Sequence, residues 1–227
     1  MPYEYEINDL AKEESWRLFR IIGELVEGFD SLSGIEPAVS IYGSARIKPD
    51  DGLYKQVEEI ARRLGEAGFS IITGGGPGVM EAANRGALKS GVASVGLNIQ
   101  LPEEQSLNVY TTKSITFHHF FVRKVMLVKY ATAFIMMPGG LGTLDELTEI
   151  LTLMQTHKIR PFPVVLFNSG YWKGFLDWLY TSVLAGGFIS EEDFSLLRVC
   201  DETGDVIETV CQWYEKQEIV GRRALSG

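Results

Sequence analysis

Residues 137–146 read Met137-Pro138-Gly139-Gly140-Leu141-Gly142-Thr143-Leu144-Asp145-Glu146, and this stretch decides the fold. The residues before it, from Ala131 to Met137, form an apolar run typical of a buried strand, and apolar residues recur at helical spacing after it. The glycines therefore lie at a turn from a strand to a helix. At such a turn the backbone comes close to a ligand, and the free N–H groups and the helix dipole attract an anion. The stretch predicts a phosphate site formed by Gly139, Gly140, Gly142 and Thr143.

Two interpretations of Glu146 are open from the sequence. This residue would lie in the first turn of the helix, where its carboxylate could reach the sugar of a nucleotide whose phosphate is bound by the glycines. The pattern Thr-x-x-Glu is also that of a capping box, in which Thr143 caps the helix and Glu146 bonds back to the cap. Capping does not explain three glycines in four positions, and one carboxylate could serve both roles.

Length and composition limit the classes of protein to which this chain can belong. The chain has 227 residues, of which 45% are hydrophobic, and this is the size of a single α/β domain. No apolar run approaches the roughly 20 residues that cross a bilayer, and the N-terminus is acidic, unlike a signal peptide. Cys200 and Cys211 are too few for a disulfide framework and lack metal-site spacing. We therefore expect a cytoplasmic protein with no membrane partner.

The net charge limits the classes of ligand that the protein can attract. At −9 it disfavours long-range attraction to a nucleic-acid polymer, although local amides can still hold one phosphate. A small anionic ligand therefore remains open.

Strands alternate with helices along the chain. The pattern predicts strands near 39–42, 69–73, 92–97, 131–137 and 163–167, and helices near 10–29, 53–64, 79–89, 116–130, 144–154, 172–184 and 206–214. This alternation predicts a Rossmann-like α/β fold with a doubly wound, mostly parallel sheet, helices on both faces and an added N-terminal helix. We expect one domain, with an N-terminal helical extension at 1–35, the core at 36–217 and a tail at 218–227.

Three predicted strands end in glycine turns. Gly43 and Ser44 follow the first, the run 74–78 containing Gly75 and Gly76 follows the second, and the stretch quoted above follows the fourth. Ligands of such sheets bind outside the carboxyl ends of the strands, so we expect the turns to converge on one cleft. None of the turns has the spacing of a dinucleotide fingerprint or the lysine of a P-loop, which disfavours hydride transfer and ATP hydrolysis.

The predicted helix at 116–130 is apolar around most of its circumference, which indicates a buried helix that could lie between subunits. Taken alone, Arg123 would be read as a surface arginine whose stem covers apolar neighbours. His118 and His119 are expected to pack or to cap, because no acidic or cysteine partner accompanies them at ligand spacing.

The run from Gly74 to Met80, the pair Arg123-Lys124 and the motif Pro138-Gly139-Gly140-x-Gly142-Thr143-x-x-Glu146 together resemble the LOG ("lonely guy") family of nucleoside 5′-monophosphate phosphoribohydrolases. The likeness runs from about residue 39 to 167. The extra N-terminal helix and the longer C-terminal part are similar to those of bacterial long forms.

The resemblance implies hydrolysis of the N-glycosidic bond of a purine nucleoside 5′-monophosphate, AMP or N6-modified AMP, to free base and ribose 5-phosphate. It implies that Arg123 and Glu146 are catalytic and that Met80 and Lys124 join the glycines in binding substrate. A fixed carboxylate can stabilise the positive charge that develops on the ribose, or orient the attacking water. The resemblance also implies a homodimer or an assembly of dimers. We expect no cofactor and no metal.

The sequence also allows two rival functions. Many LOG proteins have carried the label of a possible lysine decarboxylase, but that reaction needs pyridoxal phosphate on a lysine, and Lys158 stands at a helix end where a cation stabilises the dipole. The other rival is a non-catalytic nucleotide or molybdenum-cofactor carrier or sensor of similar fold. A carrier does not require Arg123 together with Glu146, so this pair favours the hydrolase.

Overall fold

The computed structural model describes residues 14–101 and 107–225. In these ranges the strands are β1 Ala38–Tyr42, β2 Ser70–Thr73, β3 Ser94–Ile99, β4 Lys113–Phe117, β5 Ala131–Met136, β6 Val164–Phe167 and β7 Leu197–Cys200. The helices are α1 Glu14–Leu32, α2 Gly52–Glu66, α3 Val79–Ser90, α4 Phe120–Lys129, α5 Leu141–Gln155, α6 Ser169–Trp178, α7 Glu191–Phe194 and α8 Thr203–Leu225. A π-helical segment, Leu179–Leu184, follows α6.

The seven strands form one sheet in the order β4-β3-β2-β1-β5-β6-β7, and every neighbouring pair is parallel. The chain moves outward from β1 to β4, returns to the middle at β5 and then moves outward in the other direction. This is the doubly wound α/β arrangement that the sequence predicted. The strand order reverses between β1 and β5, and ligands of such sheets bind at the carboxyl ends of the strands at this point.

Two hydrophobic cores cover the two faces of the sheet. Side chains of α1, α4, α5 and α6 pack on one face, and those of α2, α3 and α8 pack on the other. Successive residues of a strand point to opposite faces, so Phe134 of β5 belongs to the first core and Ile135 to the second. Burying a side chain of this size contributes roughly 1.5–3 kcal/mol. Strands buried on both faces read as continuous apolar runs, which explains why β5 was evident from the sequence.

Helix α1 packs closely on α4. A Cβ added at Gly28 would lie 2.7 Å from Cε of Met126, so the two helices approach closely where no side chain separates them. The opposite side of α1 is apolar but exposed, through Trp16, Phe19, Ile22, Val26 and Phe29. In the described ranges, no helix has the length and apolarity to cross a membrane.

The two edge strands and several boundaries differ from the sequence prediction. Thr116 and Phe117 were predicted to be helical but end strand β4, and α4 begins only at Phe120. Strand β7 and the short helix α7 were not predicted. An edge strand has one exposed face, so β4 alternates apolar and polar residues over only five positions and lacks the long run of a central strand.

The C-terminal helix is longer than predicted. Helix α8 continues to Leu225, so the part of the predicted tail from 218 to 225 is helical, and residues 226–227 lie outside the described residues. Residues 10–13 of the predicted first helix also lie outside them. The division into extension, core and tail stays a prediction.

Candidate active site

The three glycine turns meet at the point where the strand order reverses. The Ser44 N–H, after β1, donates to the carbonyl oxygen of Pro138, after β5, at 3.0 Å, and the Val79 N–H, after β2, donates to that of Ser44 at 3.0 Å. A Cβ at Gly139 would lie only 3.0 Å from the carbonyl carbon of Gly43. The predicted convergence of the turns is therefore confirmed.

A cleft of about 890 Å³ opens where these turns meet. Most of the predicted site residues line it: Gly43, Ser44, Met80, Arg123, Gly139, Gly140, Gly142, Thr143 and Glu146. Residues that the sequence prediction did not include also line it, among them Tyr42, Arg46, Phe120, Leu141, Asp145 and Tyr171.

The N-terminus of helix α5 faces this cleft without a capping side chain. Gly140 is the N-cap residue, and no acidic residue lies in the first turn. Thr143 is inside the helix, where its N–H donates to the Gly140 carbonyl at 3.0 Å. The capping-box interpretation is therefore wrong, and Glu146 lies in the second turn rather than the first. The first N–H groups and the positive end of the helix dipole remain suited to an anion.

Glu146 is buried at the base of the cleft. Its side chain is 7% exposed, and among the described residues its Oε2 atom has no hydrogen-bond partner. Burial raises the pKa of this carboxyl to about 7, although Lys124 and Arg123 oppose the rise. A carboxyl with a pKa near neutrality can accept or release a proton during a reaction. With the capping role excluded, the structure leaves Glu146 available for chemistry.

Arg123 lies in helix α4 on the same cleft. Its Nε donates to the Leu97 carbonyl at 2.7 Å, which fixes the guanidinium at the carboxyl end of β3. Burial lowers the pKa of Arg123, and the attraction of Glu146 opposes this, so the arginine stays charged. A Cβ at Gly74 would overlap Nη2 of Arg123, so the guanidinium lies directly against the backbone of that turn. Arg123 is thus not the surface arginine that its sequence context alone suggested.

Lys124 does not line the cleft. Its Nζ lies 2.8 Å from Oδ2 of Asp145 and 3.0 Å from Oε2 of Glu149, so it joins helix α4 to helix α5. Burial lowers the pKa of Lys124, but the bonds to these two carboxylates outweigh it and the pKa is raised. Lys124 therefore fixes the two helices that carry Arg123 and Glu146.

The structure does not bring Gly75 and Gly76 to the cleft lining. The Gly75 N–H donates to Oγ1 of Thr73 at 3.0 Å, and the Gly75 carbonyl accepts from the Asn108 N–H at 3.0 Å. The Gly76 carbonyl accepts from Nδ2 of Asn108, also at 3.0 Å. Gly75 has a φ of +72°, which favours glycine. These two glycines shape the turn, and their predicted contact with substrate stays a prediction.

A carboxylate from α1 binds the start of helix α4. Oε2 of Glu24 accepts hydrogen bonds from the backbone N–H groups of His118 and His119, both at 3.2 Å, and its Oε1 lies 2.9 Å from Nδ1 of His119. His119 is the N-cap residue of α4 and provides no side-chain cap of its own. The histidines thus lie at a helix cap, as expected, and Glu24 is an acidic partner that the sequence spacing did not indicate. Glu24 is 94 residues before His118 and 95 before His119, so no local pattern could show the contact.

In the part of the chain that the structure describes, no group of three or more His, Cys, Asp or Glu side chains could hold a metal ion.

Fold and site together define a Rossmann-like α/β protein with an uncapped helix N-terminus and a buried carboxyl at the reversal of strand order. The family model described as "Possible lysine decarboxylase" matches residues 80–210. A cytokinin riboside 5′-monophosphate phosphoribohydrolase, LOG1 of Arabidopsis thaliana, is 32% identical over 73% of this chain and 78% of its own length. The chain therefore belongs to the LOG family, which that model represents.

One further relative and one solved structure are also similar to this chain. The cytokinin riboside 5′-monophosphate phosphoribohydrolase LOG of Oryza sativa subsp. japonica is 32% identical over 59% of this chain, and the match spans only 56% of the rice protein's length. Among solved structures, the molybdenum cofactor carrier protein of Chlamydomonas reinhardtii has a TM-score of 0.58 at 21% identity, covering 79% of this chain and 98% of its own. At that identity the likeness shows the fold alone.

Proposed function

We propose that this protein hydrolyses the N-glycosidic bond of a purine nucleoside 5′-monophosphate, AMP or N6-modified AMP, to the free base and ribose 5-phosphate. One observation carries the proposal: a buried carboxyl with an unpartnered oxygen, Glu146, faces a cleft that also holds the uncapped N-terminus of α5 and Arg123. The names of the Arabidopsis and rice relatives, which describe phosphoribohydrolases, support it.

In the proposed reaction the phosphate binds at the N-terminus of helix α5, where Gly139 and Gly140 allow the backbone to approach it. Breakage of the N-glycosidic bond builds positive charge on the ribose. Glu146 in its ionised form stabilises that charge and accepts a proton from the attacking water, which adds its oxygen to the sugar. Arg123 holds substrate oxygens or assists departure of the base. The base takes up a proton from solvent as it leaves, and Glu146 releases to solvent the proton that it accepted, so one water is consumed in total.

We also propose a homodimer, or an assembly of dimers, that works in the cytoplasm without a nucleic-acid polymer as partner. Exposed apolar side chains support the self-association: Phe120, Phe121 and Val125 of α4 are 53%, 51% and 44% exposed, and α1 adds the apolar side described above. Large exposed apolar patches mark interaction surfaces. Phe120 also lines the cleft, so a second copy seated on α4 would lie beside the site. Light scattering coupled to gel filtration measures the mass.

The test of function is adenine release. Purified protein is incubated with AMP, dAMP or adenosine, and adenine is resolved by liquid chromatography, for the wild type, Glu146→Gln and Arg123→Gln. The matched control is Glu27→Gln, the same change at an exposed site on α1. We expect adenine from AMP with the wild type and the control, and a loss of at least 100-fold in the Glu146 variant, the scale of one general acid–base group. Binding of monophosphates with no turnover by any form would instead support a carrier or sensor.

A further inference from the structure

Two arginines line the cleft, Arg46 and Arg123, and their surroundings differ. Lys124 is bonded to two carboxylates, and Arg123 is attracted to Glu146. Arg46 lines the same cleft and is exposed. Within residues 14–101 and 107–225, no carboxylate lies within ion-pair distance of the Arg46 guanidinium. In the described part of a chain whose net charge is −9, the exposed Arg46 of this cleft thus has no carboxylate as a counter-ion.

The turn that carries Arg46 is fixed to the turn that begins helix α5. The Arg46 N–H donates to Oγ of Ser44 at 3.1 Å, and the Ser44 N–H donates to the Pro138 carbonyl at 3.0 Å. Pro138 is followed directly by the glycines at the uncapped end of α5. Arg46 and that helix end are therefore held on one cleft by a short series of hydrogen bonds. The buried, unpartnered oxygen of Glu146 marks the same cleft independently as a ligand site.

A phosphate monoester needs more positive charge than the helix provides. It carries about −1.5 to −2 charges at pH 7, whereas a helix N-terminus is equivalent to roughly +0.5. Asp145 also lines the cleft and adds negative charge, although Lys124 pairs with it. A guanidinium supplies a full charge and a planar set of donors that matches two phosphate oxygens.

We propose that Arg46 binds the 5′-phosphate of the substrate together with the N-terminus of helix α5, and that it thereby determines the preference for nucleoside monophosphates over nucleosides. The inference rests on the proposed function, which it deepens by assigning a residue that recognises the anionic end of the substrate. Arg46 contacts a part of the substrate remote from the bond that breaks. Its removal should therefore act on binding and spare the chemical step.

The experiment compares Arg46→Gln with Lys48→Gln, which removes a cation from the same turn at an exposed position outside the cleft lining. Two assays are used: adenine release gives kcat and KM for AMP and for adenosine, and isothermal titration calorimetry gives the Kd of ribose 5-phosphate. We expect Arg46→Gln to raise KM for AMP and the Kd of ribose 5-phosphate by about 10- to 100-fold, the range of one charge-assisted hydrogen bond. Its kcat for AMP and its kcat/KM for adenosine should stay within about twofold of the wild type.

The outcomes separate this inference from the proposed function. If the wild type releases no adenine from AMP, the proposed function fails, and the binding of ribose 5-phosphate still decides the role of Arg46. If Arg46→Gln matches Lys48→Gln in both assays, or weakens adenosine turnover as much as AMP turnover, the inference is overturned. Arg46→Lys keeps the charge without the planar donors, so recovery of part of the affinity supports a phosphate contact.

Discussion

Replacing Glu146 by glutamine should stabilise the protein at high pH while it removes activity. Burial raises the pKa of this carboxyl from its ordinary value of 4.5 to about 7. Between these two values the folded protein keeps a proton that the unfolded chain has lost, so stability falls as pH rises from about 4.5 to 7. One pKa unit corresponds to about 1.36 kcal/mol, so ionisation of Glu146 removes about 3 kcal/mol in total. Glutamine does not ionise, and the variant should not show this loss.

The assay is urea denaturation of the wild type and Glu146→Gln at pH 5 and pH 8, at one protein concentration. Most of the loss falls between these two pH values, so the wild-type free energy of unfolding should drop by about 2–3 kcal/mol more than the variant's. Glu27→Gln is the control, because it makes the same change at an exposed site. Equal pH dependence in the wild type and Glu146→Gln would refute the argument that the ionised carboxylate is buried at a penalty.

Three other perturbations follow from the same geometry. AMP turnover should rise with pH through about 7 as Glu146 ionises. Because Lys124 lowers the pKa of that carboxyl, Lys124→Met should move the midpoint of the pH profile of kcat/KM upward. An unchanged midpoint would count against the ion-pair network. Gly139→Ala places a Cβ against Oγ1 of Thr143 in helix α5, and calorimetry should show ribose 5-phosphate binding weakened at least tenfold. The control is Gly52→Ala, whose Cβ meets nothing within 4 Å and should not weaken this binding. Glu24→Ala removes the acceptor at the start of α4, and urea denaturation should show a loss of about 1–2 kcal/mol together with a lower kcat; full activity would show that α4 holds its position without this cap.

The centre of the sheet was predictable because its strands are buried on both faces. Strands β1, β5 and β6 are mostly apolar, with Ser40 in β1 and Thr132 in β5 as the polar residues, and each ends at a glycine or a turn. The edges were not predictable in the same way. In β7 only Leu197 and Cys200 are buried, and these four residues carry no distinctive pattern. Pairing with a neighbouring strand, rather than local preference, makes β4 and β7 strands.

The residues of the candidate site also differ in how far the sequence could predict them. The turns that carry Gly43, Gly139, Gly140 and Gly142 were predictable, because glycines at the end of an apolar run indicate a turn. Arg123 was singled out only by the resemblance to the LOG family. Glu24 and Tyr171 could not be found, since they act through contacts distant in the chain: the Tyr171 hydroxyl donates to the Gly139 carbonyl, 32 residues away. Arg46 lies two residues after Ser44 in a turn already identified, so the sequence did contain a signal for it.

Because the start of helix α5 is uncapped, the choice of buffer should change the stability and the nucleotide affinity measured for this protein. A helix end with no capping side chain leaves N–H groups that inorganic phosphate or sulfate can satisfy. An ion that binds only the folded form raises the melting temperature by mass action. Melting temperatures recorded in phosphate and in Tris would therefore differ for this protein, and nucleotide affinities measured in phosphate would be weakened by competition.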